Sequence, residues 1–317
     1  MRASLLSALA SAAFFGIGCI VSSASAVRAE DASAGTLRVC LNEDVPPYSV
    51  RRGNDGAGFD YLMAESLAKR FGQRLAVQWF ESKFDADSSS AIEANALLSD
   101  GRCNLLGGYP LIKDALGRPG AETARLPDFA GAVPADRRRR VTLGTLVATK
   151  PYHFATLTVV LSGTAAAKRI NSLADLDGVN LGIETSTLGD AILMSFDHGR
   201  FIPRITHVVP GRGELFPKLE QGEYDATLIA LHRYDAYRIE HPDTGIKPSG
   251  YYFPIGFNMG FVGLASEAPL IERVNAVLDT MLKDGEPASF ALAAHLTYLP
   301  PRQPYVLEGI SMSDLTK

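Results

Sequence analysis

Several kinds of chemistry have no foothold in this chain. Its 317 residues contain no G-x-S-x-G, no H-E-x-x-H, no phosphate-binding loop and no dinucleotide fingerprint. The histidines, His153, His198, His207, His232, His241 and His295, are scattered without ligand spacing, which argues against a metal centre. Carboxylates are plentiful, but no spacing singles out a pair for acid–base work. Basic residues do not dominate either: 31 Lys and Arg face 35 Asp and Glu, a net charge of −4, which counts against nucleic acid as a partner. There is no low-complexity tract and no internal repeat. Cysteine is scarce, with three in all.

Long apolar runs are equally rare, and the one present lies at the N-terminus. Arg2 precedes an apolar, small-residue stretch from Leu5 to Val21, and Ser23-Ala24-Ser25-Ala26 offers an Ala-x-Ala cleavage site, with Val27-Arg28-Ala29 as a second. A single membrane anchor is the other reading. The small-residue tail and the lack of a positive flank directly after the run favour export, with residues 1–29 as the signal peptide. Cys19 raises the question of a lipoprotein, but Gly16 stands where a branched apolar residue is expected. Removing 1–29 leaves 29 basic against 35 acidic residues, a net charge of −6. No later run is long enough to span a bilayer, so no stable membrane insertion is expected after cleavage. The mature chain keeps Cys40 and Cys103. An even pair in an oxidising compartment points to a disulfide, with two buried free thiols as the alternative.

What is present is organised around residues 37–80. A short apolar run, Leu37 to Leu41, leads into a proline-broken loop, Asn42 to Tyr48, and a turn from Gly53 to Gly58. Phe59, Leu62, Met63, Leu67 and Phe71 then recur at helical spacing up to Gly72, and Leu75 to Phe80 reads as a second strand. This β-α-β unit predicts an open α/β sheet, in which ligands sit at the carboxyl ends of strands.

The order Leu37-Arg38-Val39, Pro46-Pro47-Tyr48-Ser49, Gly58-Phe59-Asp60 and Ala68-Lys69-Arg70-Phe71-Gly72 resembles the start of a family 3 periplasmic solute-binding protein. Pro151-Tyr152 with Phe154 to Leu161 resembles that family's segment leading into the first hinge strand. Ser172-Leu173-Ala174-Asp175-Leu176-Asp177-Gly178 resembles its interlobe linker, and Gly222-Glu223-Tyr224-Asp225-Ala226 its turn before a strand. The resemblance implies an α/β fold of the type II periplasmic binding protein, with two lobes, two hinge crossings and mixed, mostly parallel sheets. Lobe 1 would comprise 36–161 and 256–317, and lobe 2 would comprise 162–255. It further implies a non-enzymatic protein that captures a small polar or anionic solute by hinge closure, for an ABC-type importer, with no cofactor.

Site residues follow from the same resemblance. Tyr48 would supply a stacking face and Phe84 the opposite wall, while Asn42 occupies a position that is acidic in many relatives. Gly108 and Tyr109 end a predicted strand, Cys103 to Leu106; a plain tight turn explains them as well. Arg140, the last of four arginines from Arg137, would grip an anionic group, the alternative being a solvated basic turn. Thr185, Ser186 and Thr187 precede a helix and would offer amides and hydroxyls to the solute; ordinary capping is the other reading. Ala230 stands where amino-acid binders carry an acidic residue, with His232 as a substitute donor or a surface histidine. Leu111 to Pro134 departs from the family and is expected as an inserted surface loop. Two other roles stay open. The cysteine placement resembles a subgroup associated with quinoprotein (PQQ) dehydrogenases, which would make a periplasmic dehydrogenase the partner. A dehydratase on this fold would use Glu184 or Asp190 as its general acid.

Overall fold

The computed structural model describes residues 35–53, 55–82 and 89–309. The expected leader and Phe84 lie outside the described residues. The first strand, β1 (Thr36–Asn42), sends Leu37, Val39 and Leu41 into one apolar cluster and Cys40 into another on its opposite face. That is the two-residue period of a strand covered on both sides. A small antiparallel sheet follows, made of β2 (Asp44–Val45), β3 (Ser49–Arg52) and β4 (Asp55–Ala57). Helix α1 (Phe59–Arg70) buries Phe59, Met63 and Leu67 against β1, with Asp60 in its first turn and Lys69 and Arg70 in its last, complementing the helix dipole. The next elements are β5 (Arg74–Glu81), α2 (Ser90–Ser99) and β6 (Leu105–Pro110).

Residues 111–134 are not a loose loop. They contribute β7 (Thr123–Arg125) and β8 (Asp128–Phe129), and Leu111, Ala124, Leu126 and Phe129 are buried in the cluster that holds Cys40. Strand β8 pairs with β5 and covers the sheet's open edge, while β7 pairs with β9 (Arg140–Thr142). Apolar side chains spaced between glycines and prolines anchor a segment whose composition alone reads as surface.

Two long strands carry the chain across the molecule: β10 (Leu146–Leu161) and β14 (Lys247–Leu264). Between them come β11 (Leu181–Glu184), α3 (Leu188–Ser195), β12 (Ile205–Val208), α4 (Leu215–Glu220), β13 (Ala226–Ala230) and α5 (Leu231–Glu240); α6 (Ala268–Asp284) and α7 (Glu286–Ala293) follow. All the main strands join one nine-stranded sheet in the order β12-β11-β13-β10-β14-β6-β1-β5-β8. Strands β6, β1 and β5 are parallel, as are β12, β11 and β13. The central pair β10 and β14 is antiparallel from Leu146 opposite Leu264 to Leu161 opposite Lys247. Gly256 sits in this pair where a Cβ would lie 2.3 Å from the Ala155 carbonyl oxygen, so only glycine lets the strands meet there.

The apolar core is divided accordingly. Two clusters flank the β6-β1-β5 half, one under α1, α6 and α7 and the other under α2. Two more flank the β11-β12-β13 half, built on Ile192 and Leu193 of α3 and on Phe216 and Leu219 of α4. Cys40 and Cys103 are joined as a disulfide with Cα atoms 5.6 Å apart, although Cys103 precedes its strand rather than opening it. The C-terminal segment runs as a strap: the buried Asn258 donates its amide to the carbonyls of Arg302, Pro304 and Tyr305 and accepts the Arg302 N–H. Among the described residues no helix is long and apolar enough to cross a membrane.

Candidate functional site

The parallel strands of both halves end at one cavity of about 880 Å³. From one side β1 delivers Asn42, β6 delivers Gly107, Gly108 and Tyr109, and the first turn of α1 delivers Asp60. From the other, β11 ends in Ile183 and Glu184, α3 opens with Leu188 and Gly189, and β13 runs through Ala230 into His232 and Arg233 of α5. Ala155, Thr156 and Leu157 of β10 and Gly256, Phe257 and Met259 of β14 close the back. Strand ends and helix starts meet here because every crossover helix in a parallel sheet returns the chain to the same edge. The lining is largely apolar, with Phe80, Leu106, Leu157, Ile183 and Leu228 prominent, and its charged side chains are Glu43, Asp44, Asp60, Glu81, Glu184 and Arg233.

Asp60 is the most confined of these, with 2% of its surface exposed. Its Oδ1 accepts the Tyr152 hydroxyl at 2.8 Å, and that hydroxyl oxygen in turn accepts the Gly108 N–H at 2.8 Å. Its Oδ2 lies against Gly108, where a Cβ would come within 2.4 Å, so the glycine at φ 66° is what admits the carboxylate. Burial pushes the Asp60 carboxyl up to about 7 despite the Tyr152 bond, which works in the opposite direction. Burial and the nearby Asp60 raise the Tyr48 and Tyr152 hydroxyls well above the phenolic range.

Opposite Asp60, Arg233 and Glu184 form a two-pronged ion pair, with Nη1 on Oε2 and Nη2 on Oε1 at 3.0 Å. Glu184 is buried and Arg233 half-exposed. His232 bridges the two sides: its ring lies 5.0 Å from that of Tyr48. Burial, and then the Arg233 charge, press His232 down to about 4, so it is neutral at physiological pH. Behind Tyr48 stand Phe59, Tyr298 and His153, with ring centroids 5.8 Å apart for Tyr48–His153, 5.5 Å for Phe59–His153 and 5.8 Å for His153–Tyr298. His153 is buried, burial lowers its pKa to about 3, and its Nδ1 has no hydrogen-bond partner among the described residues.

Of the residues singled out by sequence, Asn42, Tyr48, Gly108, Tyr109, Thr187 and His232 line the cavity. The Tyr109 hydroxyl is directed elsewhere, to the Ala115 carbonyl at 2.5 Å. Thr187 caps α3, accepting the Asp190 N–H and donating to the Glu184 carbonyl. Thr185 and Ser186 do not line the cavity; the Ser186 N–H, at φ 60°, is taken by Asp190 Oδ2. Asp190 also holds His207 at 2.8 Å and is not a lining residue. Arg140 does not line the cavity: β9 pairs with β7 in a separate two-stranded sheet, and the exposed guanidinium donates to Thr123 Oγ1. Arg139 likewise turns to Asp100. Sequence reasoning did not single out Asp60 or Arg233. Asp60 was visible as the third residue of Gly58-Phe59-Asp60, but its burial depends on Tyr152, 92 positions away.

No protein-family model and no curated protein sequence matches the chain. Solved structures do resemble it. The L-cystine solute receptor of Neisseria gonorrhoeae in its unliganded open conformation superposes with a TM-score of 0.59 at 16% identity, covering 85% of this chain and 97% of that one. An ancestral cationic amino acid solute binding protein superposes at 0.55 with 19% identity, covering 82% and 96%. An ancestral cyclohexadienyl dehydratase superposes at 0.51 with 19% identity, covering 82% and 92%. The fold is therefore the mixed α/β architecture of two-lobed periplasmic binding proteins.

Proposed function

We propose that the protein is a periplasmic solute-binding protein, exported by its N-terminal leader, that captures a small solute and presents it to an ABC-type importer. Lobe 1 would comprise residues 36–161 and 256–317 and lobe 2 residues 162–255, with β10 and β14 as the hinge. Asn42, Tyr48 and Gly108 would contact the solute from lobe 1, and Thr187 and His232 from lobe 2. The observation that carries the reading is the cavity itself, lined from both halves of the sheet at the strand ends. A ligand touching both sides binds the closed form better than the open one and so selects it.

A thermal-shift screen over amines, amino acids, organic acids and alcohols tests the reading. A ligand that binds only the folded protein stabilises it by about 2.7 kcal/mol at a hundredfold excess over Kd, read as a Tm that keeps rising with ligand concentration. Absence of any stabilising compound would overturn it.

One observation favours a second reading, an enzyme on the same fold. Asp60 is a cavity carboxyl held near 7, the range useful for proton transfer, and a dehydratase shares the fold. Product formation from a stabilising ligand would replace the first reading with the second. The structural likenesses lend no support to a dehydrogenase-accessory role.

A further inference from the structure

We propose, resting on the solute-binding reading, that the ligand is a small organic cation with an apolar body and no carboxylate: an amine, a guanidine or a quaternary ammonium compound. The charge of the cavity wall argues for it. Five acidic side chains, Glu43, Asp44, Asp60, Glu81 and Glu184, line the space against one guanidinium, that of Arg233; with Glu184 paired to Arg233 and Glu43 to Arg51, the wall still carries an acidic excess. Clefts lined by one sign of charge with apolar walls concentrate ligands of the other sign.

The local geometry sharpens the choice. A ligand carboxylate needs a cationic fork, and Arg233 is already engaged in two-pronged fashion by Glu184. An incoming carboxylate would have to displace Glu184, leaving a buried charge without its partner. A cation needs no such rearrangement. Asp60 lines the cavity almost fully enclosed, with Oδ2 left without a side-chain donor among the described residues, and the aromatic rings of Tyr48, Phe80 and Phe257 also line it. Aromatic faces attract desolvated cations, and the apolar remainder of the wall suits a hydrocarbon body. Residue Ala230 is consistent with this arrangement: the carboxylate partner for a cation comes from lobe 1 rather than from the strand end of lobe 2.

The test compares α-amino acids with their decarboxylated amines on the mature chain: arginine with agmatine, lysine with cadaverine, phenylalanine with phenethylamine. Phenylpropionate and choline are added as the anionic and quaternary arms. Thermal shift ranks the compounds and calorimetry measures Kd. The expected result is an amine or choline binding at least about tenfold tighter than any carboxylate-bearing compound, and Asp60→Asn weakening it at least about tenfold. Asn keeps an acceptor for Tyr152; Asp44→Asn, on an exposed strand, is the second variant should the first not fold, and a weakening of about threefold or more is expected. Tighter binding of an amino acid or of phenylpropionate overturns the cation proposal while leaving the solute-binding reading standing. Unchanged affinity in both variants overturns the electrostatic argument. No binding by any compound here or in the wider screen overturns both.

Discussion

Tyr152 and Asp60 share a hydrogen bond of 2.8 Å at the point where β10 passes the first turn of α1, and the same hydroxyl oxygen receives the Gly108 amide. Three elements distant in sequence are held by one phenol group. Tyr152→Phe keeps the ring against Phe59 and Phe261 but leaves the Gly108 N–H and an Asp60 oxygen unpaired. A loss of about 1–3 kcal/mol per orphaned group is expected, read as a lower denaturant midpoint. The Asp60 carboxyl should rise further, because the lost bond favours its ionised form; NMR titration of the side chain measures this.

Asp60 also sets a pH dependence. Its carboxyl lies at about 7 in the folded protein against 3.8 ordinarily. Between those values the unfolded chain has released this proton and the folded chain still holds it. Stability from this group is thus full in acid and is lost as pH rises from about 4 to about 7, by about 4 kcal/mol in all, then stays level. Asp60→Asn removes the effect, so the variant should gain on its parent across that window in urea melts. A gap between the two that does not vary with pH would contradict the assignment.

Glu184→Gln should change what the cavity accepts. With the carboxylate gone, Arg233 presents a free guanidinium fork to the cavity, and organic acids such as phenylpropionate should bind at least about tenfold tighter than to the parent. Calorimetry decides; unchanged anion affinity would mean that the pair does not gate ligand charge.

Asp235 ties the start of the C-terminal strap to α5. Fully buried, it accepts the Thr297 N–H at 2.7 Å and the Thr297 hydroxyl at 2.8 Å. Asp235→Ala should cost about 2–4 kcal/mol through the groups left unpaired. It should also loosen the two halves, raising the radius of gyration in small-angle scattering without ligand. An unchanged radius would show that the strap does not restrain the hinge.

The Cys40–Cys103 bridge closes a loop with a sequence separation of 63. Replacing both cysteines with serine should lower unfolding stability by about 4 kcal/mol on the loop-entropy account, measured by urea denaturation.

The order of the main elements was legible from residue spacing and the family resemblance together, although the small sheet of β2, β3 and β4 was read as a loop and a turn. The β-α-β opening, the capping threonine Thr187 and the dense β-branched run of β10 are written locally, because period, caps and turns depend on neighbours a few positions apart. The segment from Leu111 was misjudged as surface, since its anchors Leu126 and Phe129 are isolated among glycines, prolines and charges and find their partners only across the sheet. Arg140, the last of four arginines, drew attention as an anion ligand, yet β9 pairs with β7 in a separate small sheet and the guanidinium goes to Thr123.

The residues that give the cavity its character could not have been ranked in advance. Whether Glu184 repels, binds or is neutralised depends on Arg233, 49 positions later, turning the same way. Whether Asp60 is an ordinary surface carboxylate or a buried acid depends on Tyr152, Gly108 and the packing around them. Chain-local pattern suffices to order strands and helices, because backbone hydrogen bonding and side-chain period are short-range. Charge at a site is decided by which distant groups share one low-dielectric space, and only the folded arrangement determines that.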